Sequence, residues 1–128
     1  MTVRAERAGS AVVLNLEGPL TVDADTRRLR ELVGSMTRFS PRHVILDLRK
    51  VERLDCSGIG QLVQLHNRIG QSGGVLTLVN VDDQQKRLLQ MVGLLNVFRI
   101  SGSPQEALED RPTTAARPSL VNAFEPGL

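Results

Sequence analysis

The sequence predicts a single-domain α/β layer fold with at least part of its sheet parallel. Two observations carry this. Four short apolar runs bounded by turn residues alternate with four stretches whose apolar residues recur every three or four positions. Strands that alternate with helices pair through right-handed crossovers, which set the helices on the sheet in layers. Length and composition agree: 128 residues, 41% hydrophobic and 23% charged, suit one soluble globular domain with a real core.

The elements follow in order. Val12, Leu14 and Leu16 alternate with Val13 and Asn15, a strand that ends at the turn Gly18-Pro19. Asp23 or Asp25 then offers an N-cap to a helix with Leu29, Leu32, Val33 and Met36 at helical spacing. Ser40-Pro41 stops that helix before the strand Val44-Ile45-Leu46-Asp47-Leu48. A second helix carries Ile59, Leu62, Val63, His66 and Ile69, and leaves through the glycine-rich stretch 70–74. Val75-Leu76-Thr77-Leu78-Val79 is apolar on both faces, as a central strand should be. Asp82 or Asp83 caps a third helix with Leu88, Leu89, Val92 and Leu95, and a short strand spans Val97 to Ile100. Pro104 opens a last helix through Leu108, at a position where a first turn tolerates proline. From Arg111 onward Pro112, Pro118, Pro126 and Gly127 break every periodicity. Residues 111–128 are therefore expected to form a flexible tail behind a domain of residues 1–110.

Composition excludes several functions. There are three Phe and no Trp or Tyr, so no platform exists for stacking bases. The net charge is only +2 and the basic residues are scattered, unlike the clustered face of a nucleic-acid-binding protein. A single cysteine precludes an internal disulfide, and without a His/Cys cluster no zinc site is expected. No apolar run approaches the roughly 18 residues of a membrane span. Arg4, Glu6 and Arg7 leave no apolar stretch for a signal peptide, so a cytoplasmic location is expected.

The stretch Asp55-Cys56-Ser57-Gly58-Ile59-Gly60 concentrates the chemistry, because it stands where a strand pattern becomes a helix pattern. Helix N-termini gather unpaired N–H groups and hold anions. Ser57 there can be an N-cap, a nucleophile or a phosphorylation site. A nucleophile needs a base within hydrogen-bond reach. His66 lies nine residues along the helix, roughly 13 Å at 1.5 Å per residue. His43 heads the preceding strand, at its far end, and no Gly-x-Ser-x-Gly elbow is present. A serine hydrolase is therefore disfavoured. His66 falls on the apolar stripe and is expected in the core. Cys56 reads as a redox thiol or as a small buried apolar side chain. Asp55 can cap the helix or position Ser57. Gly58 and Gly60 suit a tight turn and the close approach of a partner surface, since no phosphate-binding glycine pattern continues.

The order of elements and this hexapeptide together resemble the STAS family, specifically the bacterial anti-sigma-factor antagonists, over about residues 2–110. The landmarks are Gly18-Pro19-Leu20, Val44-Ile45-Leu46-Asp47-Leu48, Leu54 followed by the hexapeptide, and Val92-Gly93-Leu94 with Val97-Phe98. The resemblance implies a STAS-type single domain: a mixed sheet of four to five strands packed with about four helices. It implies a binding module, not an enzyme, with no cofactor or metal. In this family the serine before the glycine, here Ser57, is phosphorylated by an anti-sigma factor that is also a serine kinase. The unphosphorylated antagonist binds that factor and frees the sigma factor, and a PP2C-type phosphatase resets the switch. Partner contacts are implied for Asp55, Cys56, Ser57, Gly58, Ile59 and Gly60, and for Asp23, whose loop neighbours the phosphosite in this family. The chain departs from the pattern at Cys56, where many relatives carry a hydroxyl, and this leaves Ser57 the only acceptor in the motif. Because the family also holds stressosome scaffolds and lipid-transport subunits, a scaffold role is the alternative.

Overall fold

The computed structural model describes residues 1–22, 25–36 and 43–109. In chain order the elements are β1 (Thr2–Ala8), β2 (Ala11–Glu17), α1 (Arg27–Met36), β3 (His43–Lys50) and α2 (Cys56–Gln71). They continue with β4 (Val75–Val79), α3 (Asp83–Met91), β5 (Arg99–Ser101) and α4 (Pro104–Glu109). The five strands form one sheet in the order β1-β2-β3-β4-β5. β1 is antiparallel to β2, and every later pair is parallel. The mixed sheet of five strands with four helices meets the expected fold class.

The pleat sorts the side chains by parity. Leu14 and Leu16 of β2, Val44, Leu46 and Leu48 of β3, and Leu76 and Leu78 of β4 enter one core. There they meet Leu29 and Val33 of α1, Ile59, Leu62, Val63, Leu65 and Ile69 of α2, and Leu89 of α3. The strand order steps one way from β2 to β5, so crossovers of one hand put α1, α2 and α3 on the same face. The alternate residues Val13, Ile45 and Val79 face the other way and pack beneath Ala107 and Leu108 of α4. Parallel strands covered on both faces read as continuous apolar runs, which is why β3 and β4 are legible. No described helix is long and apolar enough to cross a membrane.

The differences from expectation lie at the edges. The reading of individual residues contains no strand at Thr2–Ala8: charges at Arg4, Glu6 and Arg7 mask β1, and five of its seven residues are exposed. The strand expected at Val97 to Ile100 is shorter and later, because Leu95 to Val97 form a turn in which Val97 N–H donates to the Leu94 carbonyl. α3 ends at Met91, with Leu95 beyond it. Asp82 is the cap of α3, in a capping box with Gln85. The stop at Ser40-Pro41 and the tail of residues 111–128 lie outside the described residues.

Candidate functional site

α2 begins at Cys56, and its N-cap is Asp55, held extended with φ −120°. Asp55 Oδ1 accepts the Gly58 N–H at 2.9 Å, which answers one of the four orphan donors of the first turn. Its other oxygen, Oδ2, accepts the Val22 N–H at 3.0 Å. One carboxylate thus joins the loop after β2 to the start of α2. The backbone reinforces the junction. Leu20 N–H donates to the Arg53 carbonyl at 2.8 Å, and the Leu20 carbonyl accepts Asp55 N–H at 3.4 Å. Leu20 and Leu54 form an isolated parallel bridge. From the other side the buried Gln85 of α3 donates its Nε2 to the Val51 carbonyl at 3.1 Å.

This geometry separates roles that the sequence leaves open. Ser57 is the second residue of α2 and is exposed. Asp55 does the capping. Cys56 is exposed, contrary to its expected burial as a small apolar side chain. Gly60 is exposed, with open space around it. Gly58 and Ile59 are buried, and the Ile59 side chain belongs to the core instead of facing a partner. A Cβ on Gly58 would overlap the Leu20 carbonyl oxygen and lie 2.8 Å from Leu54 Cδ1. One surface that approaches Gly58 closely is therefore this chain's own backbone. Asp23 lies outside the described residues; its predecessor Val22 is the residue held on Asp55.

Neither histidine serves Ser57. His43 begins β3 and is buried, with Nε2 2.7 Å from Thr77 Oγ1. The strand that separates it from the site spans about 23 Å at 3.3 Å per residue. His66 is half-buried, its ring edge-on to Phe98 with centroids 5.5 Å apart. Asp55 is a poor base. The Gly58 and Val22 N–H groups, chiefly, hold its carboxyl below the ordinary value of 3.8, with help from the Ser57 N–H and Arg53 and against a smaller opposing effect of desolvation. A carboxyl so lowered contributes stability above its unfolded value and loses it as pH falls through the folded one. Asp55→Ala should therefore unfold at lower urea concentration than wild type at neutral pH. The gap should narrow well below pH 3.8, and chemical denaturation at both pH values checks this.

Beside Asp55 a groove of about 420 Å³ opens toward α3, with Thr21, Arg53, Leu54, Arg87, Leu88 and Met91 on its walls. Met91, on the wall of this groove, is 79% exposed, and Val22, whose N–H is held by Asp55, is 71% exposed, both large apolar side chains left in water. The sequence reading passes over both. Met91 falls within the periodic stretch around Leu88, Leu89 and Val92, and no residue pattern tells which member of such a stretch faces out.

The STAS domain model matches residues 2–107. The chain belongs to the STAS domain family. Among curated STAS relatives, the anti-sigma F factor antagonist of Paenibacillus polymyxa is 24% identical over 110 residues, covering 86% of this chain and 94% of the relative. The crystal structure of an anti-sigma factor antagonist from Mycobacterium paratuberculosis has a TM-score of 0.72 at 23% identity, covering 86% of this chain and 92% of that one. The Bacillus cell fate determinant SpoIIAA in its phosphorylated form gives 0.65 at 19% identity, covering 84% and 97%. Both structures share the STAS sheet and its helical layers with this chain.

Proposed function

We propose that this STAS domain is an anti-sigma-factor antagonist, which binds an anti-sigma factor with serine kinase activity and is switched off by phosphorylation of Ser57. The observation that carries this reading is the division of labour at α2. Asp55 caps the helix, and Ser57 two residues later is exposed, with a hydroxyl that the cap does not need. The family membership and the curated antagonist relative support the same reading.

In the transfer, Ser57 Oγ forms a bond to the γ-phosphorus of ATP held by the kinase as the bond to ADP breaks. The hydroxyl proton passes to a base of the kinase, since among the described residues neither histidine reaches Ser57 and the Asp55 carboxylate is held on N–H groups. A phosphate adds about −1.5 to −2 charges. At a helix N-terminus that charge is favourable by about 0.3–1 kcal/mol, so the fold survives it. The effect falls on the contact, where an unpaired charge taken from water costs several kcal/mol and each 1.4 kcal/mol is tenfold in affinity. A PP2C-type phosphatase restores the hydroxyl. The contact surface comprises Cys56, Ser57 and Gly60 with Asp55 at its edge, flanked by Val22 and Met91, and Asp23 adjoins Val22 in sequence.

Incubation with the cognate kinase and ATP, followed by mass spectrometry, should place one phosphate on Ser57 and none on Ser57→Ala. Undiminished incorporation into Ser57→Ala would refute the assignment.

A further inference from the structure

β1 is the antiparallel outer strand of the sheet, and among the described residues nothing pairs with its far side. A two-residue turn, Gly9-Ser10 with Gly9 at φ +64°, closes the β1–β2 hairpin on the pair Ala8–Ala11. In such a hairpin the closing pair is hydrogen-bonded, so the backbone groups of Ala8, Glu6, Arg4 and Thr2 point at β2. Those of Arg7, Ala5 and Val3 point out of the sheet. An exposed edge of this kind is a template for another strand.

We propose that this edge pairs with β1 of a second copy of the chain, antiparallel, about a two-fold axis at Ala5. The register is written in the residues. With the dyad at Ala5, the outward backbone groups of Val3, Ala5 and Arg7 meet those of the partner's Arg7, the partner's Ala5 and the partner's Val3. Arg4 then stands opposite the partner's Glu6, and Glu6 opposite the partner's Arg4. These are non-hydrogen-bonded positions, where side chains come closest across an antiparallel ladder. Arg4 and Glu6 share one sheet face, because their partners Asn15 and Val13 in β2 are two residues apart. Both are exposed and available.

Neighbouring registers are penalised. Sliding one strand by two residues puts either Arg4 against the partner's Arg4 or Glu6 against the partner's Glu6. A slide by one faces outward groups with inward ones. Ala5 on the dyad is small enough for two copies to meet. The arrangement is isologous and closes at two chains, joining two five-stranded sheets into one of ten. It leaves β3, whose C-terminal end leads to Ser57, separated from the junction by β2.

Sedimentation equilibrium of the full chain from micromolar to millimolar concentration should show a reversible monomer–dimer equilibrium. Arg4→Glu and Glu6→Arg should each weaken the dimer tenfold or more. An equimolar mixture of the two variants should recover it as a heterodimer, because every reversed charge then faces its opposite. Ala5→Pro removes an N–H that makes no bond within the sheet, a place where an edge strand accepts proline. It should abolish pairing while the melting temperature stays near that of wild type. A chain that is monomeric throughout the range, or a dimer indifferent to these changes, overturns the proposal.

Discussion

Gly58→Ala should destabilise the domain by about 1–3 kcal/mol, the usual cost of forcing extra atoms into a filled space. The added methyl would occupy the place of the Leu20 carbonyl and press on Leu54. Neither neighbour can step aside cheaply. Leu20 is fully buried, its N–H is bound to Arg53, and it bridges to Leu54. The better helix propensity of alanine, worth about 1 kcal/mol, works against this loss and is outweighed. Gly60→Ala supplies the control. Gly60 lies in the same helix, exposed, with nothing near the site of its missing Cβ, so there the propensity acts alone. It should gain about 0.5–1 kcal/mol. Urea denaturation of the two variants should thus move in opposite directions. Equal effects of either sign would mean that Leu20 is not where the structure puts it.

These two glycines mark how far the sequence can be read. The strands β2, β3 and β4 are legible because apolar side chains continue along them, and α2 and α3 because their apolar residues recur at helical spacing. β1 is not legible from its residues, since an edge strand needs no apolar alternation to be held by one neighbour. The hexapeptide shows that a helix starts there, yet it cannot divide the work between Asp55 and Ser57. That division depends on which side chain reaches the Gly58 N–H. Nor can it say why position 58 is glycine, because the reason is a carbonyl 38 positions earlier in the chain. Cys56 precedes the buried stripe of Ile59, Leu62, Val63 and Ile69 by one turn, and only the structure shows that the stripe does not extend back to it.

Ser57→Asp should lower affinity for the anti-sigma factor tenfold or more while changing stability by less than about 1 kcal/mol. Aspartate brings one negative charge to the second position of α2, where the helix N-terminus welcomes it. The same charge would have to shed water at the contact, and the nearby Asp55 carboxylate, itself an anion held on the Val22 and Gly58 N–H groups, offers it no counter-ion. Ser57→Ala should retain binding and lose regulation. Scanning calorimetry separates folding from recognition, and isothermal titration measures recognition. A Ser57→Asp variant that unfolds, or that binds as wild type does, would defeat the interface mechanism.

The stretch from Val51 to Asp55 has no regular secondary structure apart from one bridge, yet it is fastened on two sides. Leu20 and Val22 hold it from the loop after β2, and Gln85 holds it from α3. Fixing a residue's backbone costs about 1–2 kcal/mol of conformational entropy, and here that cost is met when the domain folds. On the proposed reading, a partner arriving at Ser57 would find the acceptor already in place and would not have to order it. The ten residues 51–60, cut out as a linear peptide, would keep every side chain and lose each of these fastenings. What the kinase would recognise is accordingly a shaped surface assembled from three separate parts of the chain, and not a stretch of sequence.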